Sequence, residues 1–249
     1  MKAHCKPTAQ TCVIVSLPWS IWQRVFFTSD EHQLRMMGPR GLHDYTQFGE
    51  LGHLLRRLVR SGSEFQIVVD VGARGRDRSN SYNLLKDFGW KGLLIEANPL
   101  LVDSIAAEFE GLDYKLVNCA VGDVAGTMPF HIGINDDVSS LLPEHAAMWG
   151  EITRVIEVNV QRLPDVLAEG IPATFDVLSL DIEGLDVRVL NELIATSEYR
   201  PGLIIIEASY DFAMKNLADA GLSEAVRSNY RLVAQTSANL ILQKADRAE

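Results

Sequence analysis

The chain has 249 residues, of which 47% are hydrophobic and 22% are charged, as in an ordinary globular protein. Its formal net charge of -10 argues against a nucleic-acid partner, because such partners need clustered Lys and Arg on one surface. The three cysteines are odd in number and form no C-x-x-C pair. This pattern suggests neither a disulfide framework nor a zinc knuckle and favours a reducing cytoplasm.

Residues 1–40 show no clean hydrophobic period, and we interpret them as an N-terminal extension to a single domain spanning residues 41–249. The apolar run within residues 11–28 is interrupted by Pro18, Gln23 and Arg24, so it is too short to cross a bilayer. The run is also not followed by the small residues of a signal-peptide cleavage site. We therefore expect a packing arm or interface segment and no stable membrane span.

The first regular elements are a helix over residues 45–59, with apolar residues three and four apart, and a strand from Ile67 to Val71. Gly72 and Gly75 follow the strand, and a helix is expected from about Ser79 to residue 88. Because glycine lets the backbone turn sharply and approach a ligand closely, a strand, glycine loop and helix in this order form a cradle for a nucleotide-like ligand.

Strands and helices then alternate along the chain, which predicts a mostly parallel sheet covered by helices on both faces. The irregular middle predicts an inserted antiparallel element, and the last two strands predict an antiparallel hairpin at one edge. The expected strands cover residues 93–96, 114–118, 127–132, 155–160, 175–181, 203–207, 230–235 and 239–243, and the expected helices cover residues 100–109, 163–168, 187–195 and 212–220.

The residues around the glycine loop indicate which class of ligand it could bind. The loop lacks the third glycine of G-x-G-x-x-G, which argues against a dinucleotide pyrophosphate. Asp70 would repel phosphates but suits an ammonium group, and Glu96, at the end of the second strand, can accept hydrogen bonds from both ribose hydroxyls. A nucleoside with a cationic amino-acid tail has all these groups, which favours S-adenosylmethionine.

An ordered series of motifs in the chain resembles the FkbM family of S-adenosylmethionine-dependent methyltransferases. The resemblance covers about residues 67–207. The family usually has Ala-Asn where this chain has Ala73-Arg74, and Glu-Pro is common where it has Glu96-Ala97. The motifs that carry the resemblance are residues 69–75, 95–99, 118–123, 139–141 and, above all, 180–190, which read LDIEGLDVRVL.

The resemblance implies a Rossmann-like class I methyltransferase fold with a mostly parallel seven-stranded sheet, an antiparallel edge hairpin and helices on both faces. It also implies O-methylation of a hydroxyl on a sugar or small metabolite, so that the expected partner is a hydroxyl acceptor such as a glycoside. The cofactor site is expected to include Asp70, Gly72, Ala73, Arg74, Gly75, Ser79, Glu96, Ala97, Asn98, Ala120, Val121 and Asp181.

Methyl transfer to a hydroxyl needs a base, or a metal that lowers the pKa of the hydroxyl. Asp181, Glu183 and Glu207 follow the fourth and fifth core strands, where open α/β sheets bind ligands, and are the catalytic candidates. Asp181 and Glu207 could also hold a divalent ion such as Mg²⁺.

Purely structural roles stay open for several residues. These are helix capping for Asp181, Glu183 and Asn98, a strand-end position for Ser139 and Ser140, and surface positions for His131 and His145. Trp149 is a candidate lid residue. The alternative functions are a methyltransferase acting on nitrogen or on a macromolecule, a NAD(P)-binding dehydrogenase, and a catalytically silent nucleotide-binding module. Homo-oligomer formation is open as well.

Overall fold

The computed structural model describes residues 42–134, 138–148, 150–208 and 217–245. The expected N-terminal extension, Trp149 and most of the expected helix over residues 212–220 lie outside these ranges.

A seven-stranded sheet forms the centre of the molecule. Its strands are β1 (Ile67–Val71), β2 (Lys91–Glu96), β3 (Tyr114–Asn118), β7 (Val177–Leu180), β8 (Leu203–Glu207), β9 (Tyr230–Gln235) and β10 (Asn239–Lys244). They lie side by side in the order β3-β2-β1-β7-β8-β10-β9. All its neighbouring strands pair in parallel except β10, which is antiparallel to β8 and β9. The fold prediction is therefore confirmed, including the edge hairpin.

Helices cover both faces of this sheet, because the central strands have apolar side chains on both sides. Val68 and Ile205 belong to the hydrophobic cluster under the first group of helices, whereas Val69 and Ile206 belong to the cluster under the second group. The first group is α1 (Glu50–Ser61), α2 (Tyr82–Phe88) and α3 (Val102–Glu108), and the second is α5 (Leu163–Leu167), α6 (Asp186–Thr196) and α7 (Glu224–Asn229).

Helix α1 begins five residues later than its hydrophobic period predicts. Gly49, directly before it, has a φ of 83°, outside the right-handed helical region. The side chain of Asp44 accepts hydrogen bonds from the backbone N–H and the hydroxyl of Thr46, so the preceding residues form a local turn instead.

A second, three-stranded sheet is inserted between β3 and α5 and has the order β4-β6-β5. Its antiparallel pair, β5 (Gly126–Gly133) and β6 (Ile152–Gln161), agrees with the predicted inserted element. Strand β4 (Ala120–Val121) and helix α4 (Pro143–Ala146) were not predicted, because two and four residues are too few to show a period. The cluster of this sheet packs against Ala97, just after β2.

In the described parts of the chain, every helix is too short or too polar to cross a bilayer. The division into an extension of residues 1–40 and a domain of residues 41–249 stays a prediction.

Candidate active site

Polar side chains gather at the carboxyl ends of β1, β7 and β8. Asp70 is the Cα partner of Ser179 in the β1–β7 pair, and Glu207 ends β8. The alternation of side chains along a strand directs all three to the face that carries Val68, Val177 and Ile205. Ligands of open α/β sheets bind at this edge.

The glycine loop lies directly against the chain that follows β7. The backbone N–H groups of Gly72 and Ala73 both donate to the carbonyl oxygen of Ile95, at 2.9 and 3.0 Å. Gly72 has a φ of 86°, and a Cβ at this position would lie 1.8 Å from the backbone oxygen of Asp181. Only glycine fits here, so the sharp turn and close backbone approach expected of a cradle are present. That this cradle holds a ligand stays a prediction.

The carboxylate of Asp70 is surrounded by serine hydroxyls of the chain itself. Ser81 donates at 2.5 Å and Ser79 at 3.5 Å, and Ser179 also hydrogen-bonds to this carboxylate. Burial raises the pKa of Asp70, and the three hydroxyls oppose that rise. Asp70 borders the cleft as expected, but much of its hydrogen-bonding capacity is used to anchor the segment from Ser79 to Ser81.

Glu96, which is 6% exposed, ends β2 on the other side of the glycine loop. It accepts a hydrogen bond of 2.7 Å from the backbone N–H of Asn98. Burial raises the pKa of Glu96 to about 7, although the Asn98 N–H and the charge of Arg74 counter the rise. The Asn98 side chain is itself buried and accepts from the backbone N–H of Leu100, so Asn98 caps the turn and does not line the cleft.

The cleft consists of two adjoining cavities. The inner cavity lies beside β2 and β4 and is lined by Glu96, Ala97, Ala120, Val121, Phe130, Ser139 and Leu141, among others. The outer cavity lies beside β1, β7 and β8 and is lined by Asp70, Ala73, Gly75, Ser79, Asn80, Ser179 and Glu207, among others. Gly72, Arg74, Asp181 and Glu183 line both. All the predicted cofactor-site residues except Asn98 therefore border this cleft.

The three predicted catalytic acids lie together. Asp181, Glu183 and Glu207 each offer a carboxylate oxygen, and these oxygens lie within 4.8 Å of one another. Burial, followed by the charge of Glu207, raises the pKa of Asp181 well above its ordinary value. Burial and the charge of Asp181 raise the pKa of Glu183 to about 8. Such a group can take up a proton or hold a hard divalent cation.

The loop after β7 has an unusual backbone that carries Glu183. The residue has a φ of 55° although it is not glycine, and the Ser140 hydroxyl donates to its carbonyl oxygen at 2.7 Å. Asp186 accepts from the backbone N–H groups of Ile182 and Gly184, at 2.8 and 3.0 Å. The carboxylate that caps this loop is therefore that of Asp186, and the carboxylates of Asp181 and Glu183 are left to border the cleft.

Both histidines near the cleft support the loop from outside. The ring of His145 lies on the backbone of Gly184, since a Cβ there would be 2.5 Å from His145 Nε2. The backbone of His131 exchanges two hydrogen bonds with Ser140, at 2.8 and 3.0 Å. These contacts fix the Ser140 hydroxyl that holds Glu183.

The far wall of the outer cavity is held by a buried carboxylate that the sequence did not single out. Glu50, at the start of α1, accepts from the backbone N–H of Phe48 at 2.9 Å. It also accepts from the side chains of Thr236 at 2.8 Å and Asn239 at 2.9 Å. Phe48 lines the outer cavity, and Asn239 is the Cα partner of Glu207. The network therefore joins the Phe48 wall of the cavity to the strand that ends in Glu207.

The sequence model described as "Methyltransferase FkbM domain" matches residues 70–227 of the 249-residue chain. The chain belongs to the FkbM methyltransferase family. The match begins at Asp70 and includes the glycine loop, Glu96 and all three acids of the cluster. A search of curated proteins found no match. The family implies S-adenosylmethionine as the methyl donor, and the Gly72 cradle with its neighbouring carboxylates fits such a ligand.

Proposed function

We propose that this FkbM methyltransferase depends on S-adenosylmethionine and methylates a hydroxyl oxygen of a sugar or small metabolite. The carrying observation is the cluster of Asp181, Glu183 and Glu207 directly beside the glycine loop. A half-buried acid with a raised pKa next to a cofactor cradle is the kind of group that can remove the proton from a hydroxyl.

The residues of the inner cavity are proposed to hold the nucleoside. Glu96 would accept hydrogen bonds from the ribose hydroxyls, which stabilise its charged form. Ala97, Ala120 and Val121 would form the apolar wall against the adenine ring. The amino-acid tail would then lie along the loop from Gly72 to Gly75, toward Ser79 and Asp181.

S-adenosylmethionine supplies a methyl group that is already activated by the positive charge on its sulfur. The task of the chain is therefore to place the acceptor oxygen in line with that methyl group and to remove the hydroxyl proton. Glu183 is the proposed base, because its carboxylate lines both cavities and its pKa of about 8 makes it a stronger base than an exposed carboxylate. Asp181 and Glu207 would orient the hydroxyl through hydrogen bonds.

The same three carboxylates also fit a hard divalent cation such as Mg²⁺, since their oxygens lie within 4.8 Å of one another. Asp181, Glu207 and Glu183 would hold the ion. Its charge would lower the pKa of a bound hydroxyl. Chelation distinguishes the two roles of the cluster: loss of activity with EDTA and recovery with Mg²⁺ indicate a metal, whereas unchanged activity indicates a base acting alone.

The outer cavity favours a neutral polar acceptor. Asp77 and Glu207 are acids of its wall, which disfavours anions, and Phe48 and Val138 add apolar surface beside them. A sugar ring offers hydroxyls to carboxylates and C–H groups to apolar side chains. Arg74 and Arg78 also line this cavity, so its wall has charges of both signs.

The setting of the enzyme is part of the same proposal. Among the described residues, Cys119 is a buried free thiol, which suits a reducing cytoplasm. The catalytic domain would span residues 41–249, with residues 1–40 as an extension.

Two measurements test the proposal. Calorimetry with S-adenosylmethionine and S-adenosylhomocysteine should show binding of both, and preferential binding of NAD would overturn the cofactor assignment. A panel of sugars, glycosides and other hydroxyl metabolites, with Mg²⁺ or EDTA, should then give S-adenosylhomocysteine and an O-methylated product. Methyl transfer to amines alone, or cofactor binding without turnover on any hydroxyl acceptor, would overturn the reaction assignment.

A further inference from the structure

Asn80 occupies a fixed position between the glycine loop and helix α2. The two residues that flank it, Ser79 and Ser81, both donate to the carboxylate of Asp70, and their hydroxyls lie 3.0 Å apart. Asn80 itself is 9% exposed and lines the outer cavity. The segment therefore holds the Asn80 side chain rigidly at the cleft.

The hydrogen bonds of Ser179 determine the orientation of the Asn80 amide. Ser179 hydrogen-bonds to the carboxylate of Asp70, and the hydroxyls of Ser79, Ser81 and Ser179 all favour the charged form of this group. A charged carboxylate only accepts, so the single hydroxyl proton of Ser179 is used there. The Ser179 oxygen must then accept from Asn80, and Asn80 Nδ2 lies 3.1 Å from it. The amide oxygen, Asn80 Oδ1, is left facing away from Ser179.

Asn80 Oδ1 is buried and has no hydrogen-bond partner among the described residues. Buried polar atoms in native proteins are almost always paired, so an unpaired one that borders a cleft marks a position for a ligand atom or a water. An amide oxygen only accepts hydrogen bonds, so the atom at that position is a donor. Asp70 and Asp181 line the same cavity, and a cationic donor beside them would stabilise their charged forms.

The position of Asn80 along the sheet identifies which donor this is. Glu96 marks the ribose site at the end of β2, and the acid cluster marks the acceptor site at the ends of β7 and β8. Asn80 lies between them, over the β1–β7 pair that carries Asp70 and Ser179. A tail that extends from the ribose toward Asp181 passes this point.

We propose that Asn80 binds the α-ammonium group of the amino-acid moiety of the cofactor through Oδ1. The inference rests on the proposed function, because it requires S-adenosylmethionine in the cleft. The proposal assigns the ammonium contact to the amide of Asn80. The carboxylate of Asp70 has a structural role, because it accepts hydrogen bonds from Ser79 and Ser81 on either side of Asn80.

The test combines a change in the protein with a change in the ligand. Calorimetry would compare wild type and Asn80→Ala for three ligands: S-adenosylhomocysteine, its analogue in which hydrogen replaces the α-amino group, and its analogue that lacks the carboxylate but keeps the amine. A hydrogen bond to a charged group supports a loss of about 10- to 100-fold in affinity. The loss should occur for the two ligands with an amine, and the desamino analogue should change by less than about threefold.

Asn83→Ala is the matched control. Asn83 lies in helix α2, three residues after Asn80, and is buried. Its amide contacts the backbone of His43 and Tyr45 and the side chain of Asp87, and it does not line either cavity. Its replacement can lower the melting temperature but should leave the affinity ratio between S-adenosylhomocysteine and the desamino analogue unchanged.

Each outcome decides the assignment. An equal loss for all three ligands in Asn80→Ala, or no loss for any of them, overturns the ammonium contact and leaves the proposed function standing. Failure of the wild type to bind any of the three ligands overturns the proposed function, and the ammonium contact with it.

Discussion

Acidic side chains at the end of β1 and at the ends of β7 and β8 have opposite surroundings. At β1, Asp70 is 5% exposed and is surrounded by serine hydroxyls. At β7 and β8, three carboxylates face one another across less than 4.8 Å. A strand-end acid supplied with donors by its own chain stabilises the fold, whereas acids facing other acids favour uptake of a proton or cation. The neighbours of a carboxylate, more than its place in the fold, separate the two roles.

The backbone differs in the same way. Both regions need a positive φ, but at the end of β1 the residue is Gly72, with a φ of 86°, and after β7 it is Glu183, with a φ of 55°. Holding a non-glycine residue in this region costs about 1 kcal/mol or more. The chain tolerates this cost at the position that directs a carboxylate into the cleft, which is the pattern expected of a functional residue.

The largest effect is expected from Gly72→Ala. The added Cβ would lie 1.8 Å from the backbone oxygen of Asp181, so the β1 and β7 regions could not keep their contact. Binding of S-adenosylhomocysteine should be lost in calorimetry, with a large fall in melting temperature. Gly62→Ala is the control, because Gly62 has a similar φ of 79° but open space around it. Equal behaviour of the two variants would contradict the steric explanation.

Glu183→Gln should separate the two regions functionally. The amide keeps the size of the side chain but cannot accept the hydroxyl proton, so kcat should fall by about 10²- to 10⁴-fold. Affinity for S-adenosylhomocysteine should stay within about threefold, since the neighbouring Glu96 site is unchanged. Glu224→Gln, at a solvent-exposed side chain, is the matched control for both measurements. Full activity of Glu183→Gln would exclude Glu183 as the base.

Glu96→Gln should change the pH dependence of stability. Burial raises the pKa of Glu96 from 4.5 to about 7, so the folded protein binds this proton more tightly than the unfolded chain. The free energy of unfolding of the wild type should therefore fall as the pH rises from about 4.5 to 7, by at most about 3 kcal/mol at 1.36 kcal/mol per pKa unit.

Glu96→Gln lacks this titration. We would measure the free energy of unfolding of the ligand-free variant and wild type by urea at pH 4 and pH 8. The value for the variant minus that for the wild type should be larger at pH 8 than at pH 4. Affinity for S-adenosylhomocysteine should fall in the same variant, because an amide is a weaker acceptor for ribose hydroxyls than a carboxylate. A pH-independent difference in stability would contradict the raised pKa.

The smallest effect is expected from Ser81→Ala. It removes the 2.5 Å hydrogen bond to Asp70 but leaves the contacts from Ser79 and Ser179. The loss in the free energy of unfolding should be about 1–2 kcal/mol by chemical denaturation. Ser228→Ala, whose exposed hydroxyl makes only a local bond to Ala225, should change stability by less. A loss at Ser81 no larger than that at Ser228 would show that Asp70 does not depend on its serine donors.

The sequence was sufficient to predict the architecture wherever the apolar pattern was long. The bounds of β3, β8 and β9 agree with the expected ranges, because each is a continuous strand between clear turn signals. Helix α7 was missed, since six residues with a single buried side chain show no helical period. The meeting of Asp181, Glu183 and Glu207 could be expected because parallel strands end at one edge of the sheet.

Which polar residues stabilise the loops and which border the cleft could not be predicted in this way. Asp181 and Asp186 look alike in the sequence, and only the loop conformation shows that Asp186 receives the backbone N–H groups of Ile182 and Gly184. The role of Asn80 depends on the direction of a single hydroxyl bond from Ser179. The first choice depends on the exact backbone conformation of a short loop, and the second on a contact between residues 99 positions apart. The local sequence carries no signal for either.

The network of Glu50 has a consequence for how the enzyme is made in the cell. The partners of this carboxylate, Thr236 and Asn239, lie 186 and 189 residues further along the chain. At about 5–20 residues per second, a ribosome needs on the order of 10 s or more to reach them after Glu50 has been added. The residues of the glycine loop and of the chain after β7, which pack against each other, are all synthesised before that. The nucleotide cradle can therefore form on the nascent chain before the C-terminal hairpin is available to hold Phe48 at the cleft.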